Sequence, residues 1–133
     1  MKKIYLDTNI YIDYLENRKD RLRPLGDFAF NLIKRVIKCE FYIVISDLVI
    51  QELERNMNRD KIYELIKTIN RKLIKIESTE EQRKKARKRK THFTDALHAI
   101  IAMNSEVDYF VTRNIVDFSE FKNELKIIFP ESV

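Results

Sequence analysis

Two hydrophobic rhythms alternate along this chain: short, continuously apolar runs, and apolar stripes at helical spacing. The first run, Lys3 to Leu6, stops abruptly at Asp7, the pattern of a buried strand ending in a polar residue. Phe41 to Ile45 (FYIVI) is the clearest strand, being short and rich in β-branched and aromatic side chains. Ile74 to Glu77, Tyr109 to Thr112 and Lys126 to Phe129 complete the set, the last ended by Pro130. Between them, Asn9 to about Arg18 carries Ile10, Tyr11, Tyr14 and Leu15 at helical intervals. After a break at Pro24 and Gly26, Asp27 is placed to cap a helix that buries Phe28, Leu32, Ile33, Val36 and Ile37. Ser46 is placed to cap a helix from Asp47, and Asp60 opens one that turns Ile62, Leu65, Ile66, Ile69 and Leu73 inward. Ser78-Thr79-Glu80-Glu81 resembles a capping box ahead of a highly charged helix. Thr94 precedes a very apolar helix from Asp95 to about Asn104.

Fully apolar strands alternating with helices predict an α/β protein: a three-layer α/β/α fold around a central parallel sheet of about four to five strands. The length of 133 residues suits one domain, 1–133, without internal repeats. A single Gly and two Pro leave no room for flexible linkers or a Gly-rich phosphate loop. Cys39 is the lone cysteine, which excludes an intramolecular disulfide and a cysteine zinc cage. It closes an apolar helical stretch and is expected as a small core residue. No apolar run approaches the ~20 residues that span a bilayer. The N-terminal residues enter the first strand directly, without a signal-peptide core, so a soluble cytoplasmic protein with no membrane role is expected. The net charge of +5, from 26 basic and 21 acidic residues, mildly favours a polyanionic partner.

In open parallel sheets, ligands bind beyond the carboxyl ends of the strands. Asp7 lies at such an end, Asp47 and Glu52 follow the next strand, and Asn114 and Asp117 follow the strand ending at Thr112. Glu52 falls on the inward arc that Leu48, Val49, Leu53 and Met57 define, while Glu54 points outward. A buried carboxylate is costly unless paired or bound to a metal, so Glu52 is either a ligand or one partner of a salt bridge. Asp95 begins a helix that is apolar nearly all round, where it faces a cleft or answers the helix dipole. Asp7 is equally placed to cap the helix that follows it. Taken singly, each acid has an ordinary structural reading.

Four stretches occur in order: Leu6-Asp7-Thr8-Asn9, Val49-Ile50-Gln51-Glu52-Leu53, Phe93-Thr94-Asp95-Ala96-Leu97-His98-Ala99-Ile100, and Val111-Thr112-Arg113-Asn114-Ile115-Val116-Asp117-Phe118. Together they resemble the sequence blocks of the PIN domain, especially the VapC-like toxin ribonucleases, from Lys3 to about Pro130. The first and third blocks carry most of the resemblance, and the second is weak alone. The resemblance implies a metal-dependent endoribonuclease with an acidic pocket for Mg²⁺ or Mn²⁺. It maps Asp7, Glu52 and Asp95 to the core carboxylates and offers Asn114 or Asp117 for the fourth position, of which Asp117 is preferred. Thr112, Asn9 and Asn114 would support the pocket or position the phosphate. It further implies RNA as substrate, a cognate antitoxin as partner and a homodimer formed through apolar helices.

Such a donor set suits the chemistry. Mg²⁺ prefers hard oxygen ligands, and one or two carboxylate-held ions can activate water and stabilise a leaving oxygen. Without an ion, clustered carboxylates repel, and at least one is expected to hold a proton. His98, three residues beyond Asp95, reads as a packed helix histidine, and His92 as a surface residue. The run Arg83-Lys84-Lys85-Ala86-Arg87-Lys88-Arg89-Lys90 is too dense in positive charge for an ordinary salt-bridged helix. Lys84, Lys85, Arg87, Lys88, Arg89 and Lys90 are therefore candidates for docking nucleic acid, against the alternative of a merely solvated segment. Tyr5, Tyr11, Tyr14, Tyr42 and Tyr63 read as core residues rather than base-stacking platforms.

Two other classes fit parts of the pattern. A receiver-like signalling domain also gathers aspartates and Mg²⁺ beyond its strands, but it wants a late Lys that Thr112-Arg113-Asn114 does not supply. A PIN fold that binds RNA or protein without cleaving would keep the same acids, as would a stand-alone RNA-processing nuclease.

Overall fold

The computed structural model describes residues 1–18 and 23–133. Its centre is a five-stranded sheet of β1 (Lys2–Leu6), β2 (Phe41–Ser46), β3 (Leu73–Ile76), β4 (Tyr109–Val111) and β5 (Ile127–Ile128), in the order β3-β2-β1-β4-β5. Every neighbouring pair is parallel, with Ile4 beside Ile43 on one side and beside Tyr109 on the other. The strands run outward from β1 through β2 to β3, and the chain then returns to add β4 and β5 on the opposite side. The direction of winding therefore reverses between β1 and β4, the place where open α/β sheets leave a crevice at their carboxyl edge.

Among the described residues six α-helices cover the sheet: α1 (Thr8–Glu16), α2 (Leu25–Ile37), α3 (Asp47–Asn56), α4 (Arg59–Ile69), α5 (Glu80–Arg87) and α6 (Phe93–Asn104). The three-layer expectation holds. Ile4, Tyr5, Leu6, Ile43, Phe110 and Val111 are fully enclosed, and the Tyr5 and Phe110 rings stack at 5.5 Å between centroids. Residues Ala96 to Ala102 of α6 are buried without a break, as its all-round apolar sequence requires. No helix among the described residues is long and apolar enough to cross a membrane.

Local signals were read well at some helix starts and missed at others. Ser46 caps α3 by accepting the Val49 N–H, and Thr79 with Gln82 forms the capping box of α5. Asp27 does not cap α2: the helix begins at Leu25, which is itself buried, and Pro24 precedes it. Thr94 likewise lies inside α6, which starts one residue earlier at Phe93, whose ring lies beneath the Arg87 guanidinium at 5.7 Å. α4 opens at Arg59, with Asn58 accepting the Asp60 N–H. Cys39 is exposed rather than in the core. It adopts φ 69° just past α2, and this left-handed turn carries its side chain away from the helix's buried stripe. Gly26 is needed where α1 ends against α2, because a Cβ there would lie 2.6 Å from the Asn17 Cα.

Candidate active site

Asp7 follows β1 directly, and its backbone N–H donates to the Val111 carbonyl at 2.9 Å, fixing it at the boundary with β4. Its side chain is buried, with 5% of the residue exposed. The Thr112 hydroxyl donates to Asp7 Oδ2 at 3.0 Å and accepts the Asn114 N–H at 3.0 Å. Burial pushes the Asp7 carboxyl above its ordinary range, against the opposing influence of His98 and of the Thr112 hydrogen bond. No Lys or Arg among the described residues pairs with it.

Asp95, in the first turn of α6, is half-buried, and its carboxyl is also raised, first by burial and then by the negative charges of Asp7 and Asp117. Asp117 is exposed in a 3-10 segment, Ile115–Phe121, that follows β4. Its N–H bonds the Asn114 carbonyl at 3.0 Å. Three aspartates from three separate parts of the sequence thus share one electrostatic neighbourhood, without a Lys or Arg ion pair among the described residues.

Glu52 on α3 turns inward, as its helical position predicts. It is held by the Thr8 hydroxyl at 3.2 Å and by His98 Nε2, both on Oε1. Burial would raise the Glu52 carboxyl, but His98, Thr8 and Arg55 together bring it below its ordinary range. The expected alternative for Glu52, a salt bridge to Arg or Lys, gives way to this pairing with a histidine. Asn9 and Asn114 are half-buried on the same edge, and neither side chain makes a protein hydrogen bond among the described residues.

Hard carboxylate oxygens without thiolate suit Mg²⁺ or Mn²⁺, and the buried, unpaired charge of Asp7 asks for a cation. Yet no group of three His, Cys, Asp or Glu among the described residues is spaced to hold one ion. Mg²⁺ commonly takes only one or two carboxylates and keeps several waters, so the chemistry of the donors fits even though no closed cage is preformed. Two sizeable clefts lie elsewhere. One of about 630 Å³ runs beside Tyr14, Phe30 and Leu65, and one of about 500 Å³ beside Ile50, Tyr63 and Ile76. Neither is lined by the four acids, which occupy an open edge.

The basic run is more paired than its density suggests. Arg83 and Arg87 bind Glu80 at 3.1 and 3.4 Å, Lys85 binds Glu81 at 3.5 Å, and Arg89 reaches Glu120 and Glu124 at 3.4 and 3.8 Å. The expectation that this stretch is too dense for an ordinary salt-bridged helix is thus corrected: Glu80 and Glu81 in the first turn of α5, Glu120 in the distant 3-10 segment and Glu124 just past it answer it. Lys84, Lys88 and Lys90 are exposed and make no ion pair among the described residues. Of the five tyrosines expected in the core, Tyr5 and Tyr11 are enclosed, whereas Tyr63 is 74% exposed.

Two contacts escaped the sequence. His98 is buried and joins Tyr5 to Glu52, and Asp13, 1% exposed, meets Arg113 at 3.0 Å. Asp13 directly follows the buried residues Ile10, Tyr11 and Ile12 on α1 and is itself buried, an acid in an apolar setting as Glu52 is on α3.

The parallel sheet, the reversal of winding beside β1 and the acids grouped there define an α/β protein of the PIN class. Residues 3–116 match the PIN domain, and the chain belongs to that family. Among solved structures it is similar in fold to VapBC2 from Rickettsia felis bound to a DNA fragment from their promoter, with a TM-score of 0.63 and 19% identity, covering 94% of this chain and 96% of that one. No curated protein is a significant match.

Proposed function

We propose that this PIN domain is a metal-dependent endoribonuclease that hydrolyses RNA phosphodiester bonds at the edge formed by Asp7, Asp95, Glu52 and Asp117. The observation that carries the reading is the buried carboxylate of Asp7, without a Lys or Arg partner among the described residues, beside Asp95 and Asp117. Asp7 and Asp95 would hold Mg²⁺ or Mn²⁺, with Glu52 and Asp117 positioning water around it. A bound ion supplies a water made nucleophilic and charge for the leaving oxygen. Thr112 fixes the orientation of Asp7, while Asn9 and Asn114 offer uncommitted amides to a phosphate. Lys84, Lys88 and Lys90 add positive charge that would draw the RNA backbone.

The VapBC2 similarity supports a further reading as the toxin of a type II toxin–antitoxin pair with a cognate antitoxin; a cytoplasmic homodimer belongs to the same proposal. The open cleft beside Tyr14 and Phe30, whose rings stack at 6.1 Å, offers apolar surface to a partner. A stand-alone RNA-processing nuclease would use the same site. A non-cleaving PIN module draws on a different observation: both hydrogen bonds to Glu52 fall on one oxygen and give that residue a structural occupation.

Purified protein incubated with end-labelled structured and single-stranded RNAs, with Mg²⁺, Mn²⁺ or EDTA, separates these readings. Cleavage that requires the metal and disappears in Asp7→Asn/Asp95→Asn is the expected result. Mn²⁺ binding without cleavage of any RNA would favour the binding module.

A further inference from the structure

A buried chain of hydrogen bonds runs beneath the acidic edge and ends on Glu52. Ser46 Oγ, capping α3, accepts the Val49 N–H at 3.3 Å and lies 2.8 Å from the Tyr5 hydroxyl. That hydroxyl is 2.7 Å from His98 Nδ1, and His98 Nε2 meets Glu52 Oε1. Ser46, Tyr5 and His98 are each exposed by 1% or less. Bulk water therefore does not complete the hydrogen bonding of these three, which must satisfy one another and the inner oxygen of the half-buried Glu52.

This closure, with an ionised Glu52 at its end, limits the directions these bonds can take. An ionised Glu52 only accepts, so His98 Nε2 must carry a proton and donate. If His98 is neutral, Nδ1 accepts from the Tyr5 hydroxyl, Tyr5 accepts from Ser46, and Ser46 accepts from the Val49 N–H. Every hydrogen in the chain then has an acceptor. The opposite sense, with Nδ1 also protonated, would turn the Tyr5 hydroxyl onto Ser46 and leave the Ser46 hydrogen without a partner among the described residues. Of the two neutral tautomers, only the one with its proton on Nε2 can donate to an ionised Glu52.

We infer that His98, oriented through Tyr5 and Ser46, is a positioning residue for Glu52: it pins one carboxylate oxygen and leaves the other uncommitted. The inference rests on Glu52 serving the metal site proposed above. Its parts come from four elements, β1, the end of β2, α3 and α6, so the chain couples the Glu52 side chain to the packing of the sheet. Orienting groups of this kind typically alter metal affinity or turnover by about 10–100-fold when removed.

The test compares wild type with His98→Asn, which keeps a polar atom near the Nδ1 position but does not reach Glu52, and with His98→Gln, whose longer amide places a donor near Nε2. Mn²⁺ affinity is measured by titration on each folded protein, and the imidazole tautomer by ¹⁵N NMR in wild type and Tyr5→Phe. Expected results are an Nε2–H tautomer in wild type that Tyr5→Phe perturbs, a loss of Mn²⁺ affinity of about tenfold in His98→Asn, and recovery to within about threefold in His98→Gln. Wild-type affinity in a folded His98→Asn protein, or an Nδ1–H tautomer in wild type, overturns the positioning role and leaves the nuclease reading standing. A wild-type protein that neither binds Mn²⁺ nor cleaves RNA overturns that reading, and the positioning role with it.

Discussion

The Thr112 hydroxyl donates to the Asp7 carboxylate at 3.0 Å, joining the ends of β4 and β1 at the point where the winding of the sheet reverses. Thr112 is wholly buried and Asp7 nearly so. The hydroxyl is the only side-chain donor that Asp7 has among the described residues, and it also receives the Asn114 N–H.

Thr112→Val keeps the shape and removes the hydroxyl, leaving a buried acceptor and a backbone donor without it. The expected cost is about 1–3 kcal/mol of stability, with a loss of about 10–100-fold in metal affinity or cleavage. Thr112→Ser should recover most of both. Chemical denaturation and Mn²⁺ titration give the two numbers, and an unchanged Mn²⁺ affinity in the valine variant would remove Thr112 from the site.

Asp7→Asn should stabilise the metal-free protein while abolishing cleavage. Burial raises the Asp7 pKa in the folded state, so folding disfavours the ionised form. That penalty is absent below the unfolded pKa of about 4 and grows to its full size as pH rises through the folded value. The amide carries no charge and avoids the penalty. Thermal melts in EDTA near pH 7 are expected to show a gain of about 0.5–2 kcal/mol, the usual size of such relief. The gain should vanish below about pH 4, where both states of the wild-type carboxyl are protonated. A destabilised Asp7→Asn protein at neutral pH would show that the carboxylate, not its neutral form, is what the fold prefers.

The Asp13–Arg113 contact predicts an asymmetry between single and double substitutions. Arg113→Met strands the enclosed Asp13, and breaking a buried pair in this way costs about 3–5 kcal/mol. The double substitution Asp13→Leu/Arg113→Met removes both charges and should be clearly more stable than Arg113→Met alone. Urea denaturation of the two singles and the double closes the cycle. Additive effects would mean that the pair is not coupled.

Lys84→Ala, Lys88→Ala and Lys90→Ala together should weaken RNA binding and flatten its dependence on salt. Three lost phosphate contacts correspond to a decrease of about 2 in the slope of log affinity against log salt on single strands. Arg83→Ala, Arg87→Ala and Arg89→Ala should change the slope less, because their charges are already answered by Glu80, Glu120 and Glu124. The comparison is made with a cleavage-defective variant, and equal slopes for both triple variants would contradict the division.

What could be read from the sequence was whatever depends on near neighbours. The FYIVI run, the inward arc holding Glu52 and the block around Asp95 each announce themselves within about a dozen residues, and together they gave the layers, the parallel sheet and the acids at its edge. The contacts that escaped notice are long-range pairings. His98 looked like packing because its partners, Tyr5 and Glu52, are 93 and 46 residues away. Glu120, which accepts Thr91 N–H and hydroxyl bonds at 2.9 and 2.5 Å and ties the end of the basic run to the 3-10 segment, carries no local signature either. Cys39 shows a different limit. Val36 and Phe41 on either side of it are buried, but Cys39 itself stands at a left-handed turn on the surface.

The separation between Asp7 and Thr112 has a temporal meaning. These residues are 105 positions apart, and their bond exists only once β4 has docked against β1. During synthesis Asp7 emerges early, yet the oxygen that orients it is not available until nearly the whole domain has left the ribosome. Closing so long a loop is also the entropically expensive part of folding. A growing chain therefore carries Asp7, Glu52 and Asp95 before the edge that joins them is assembled.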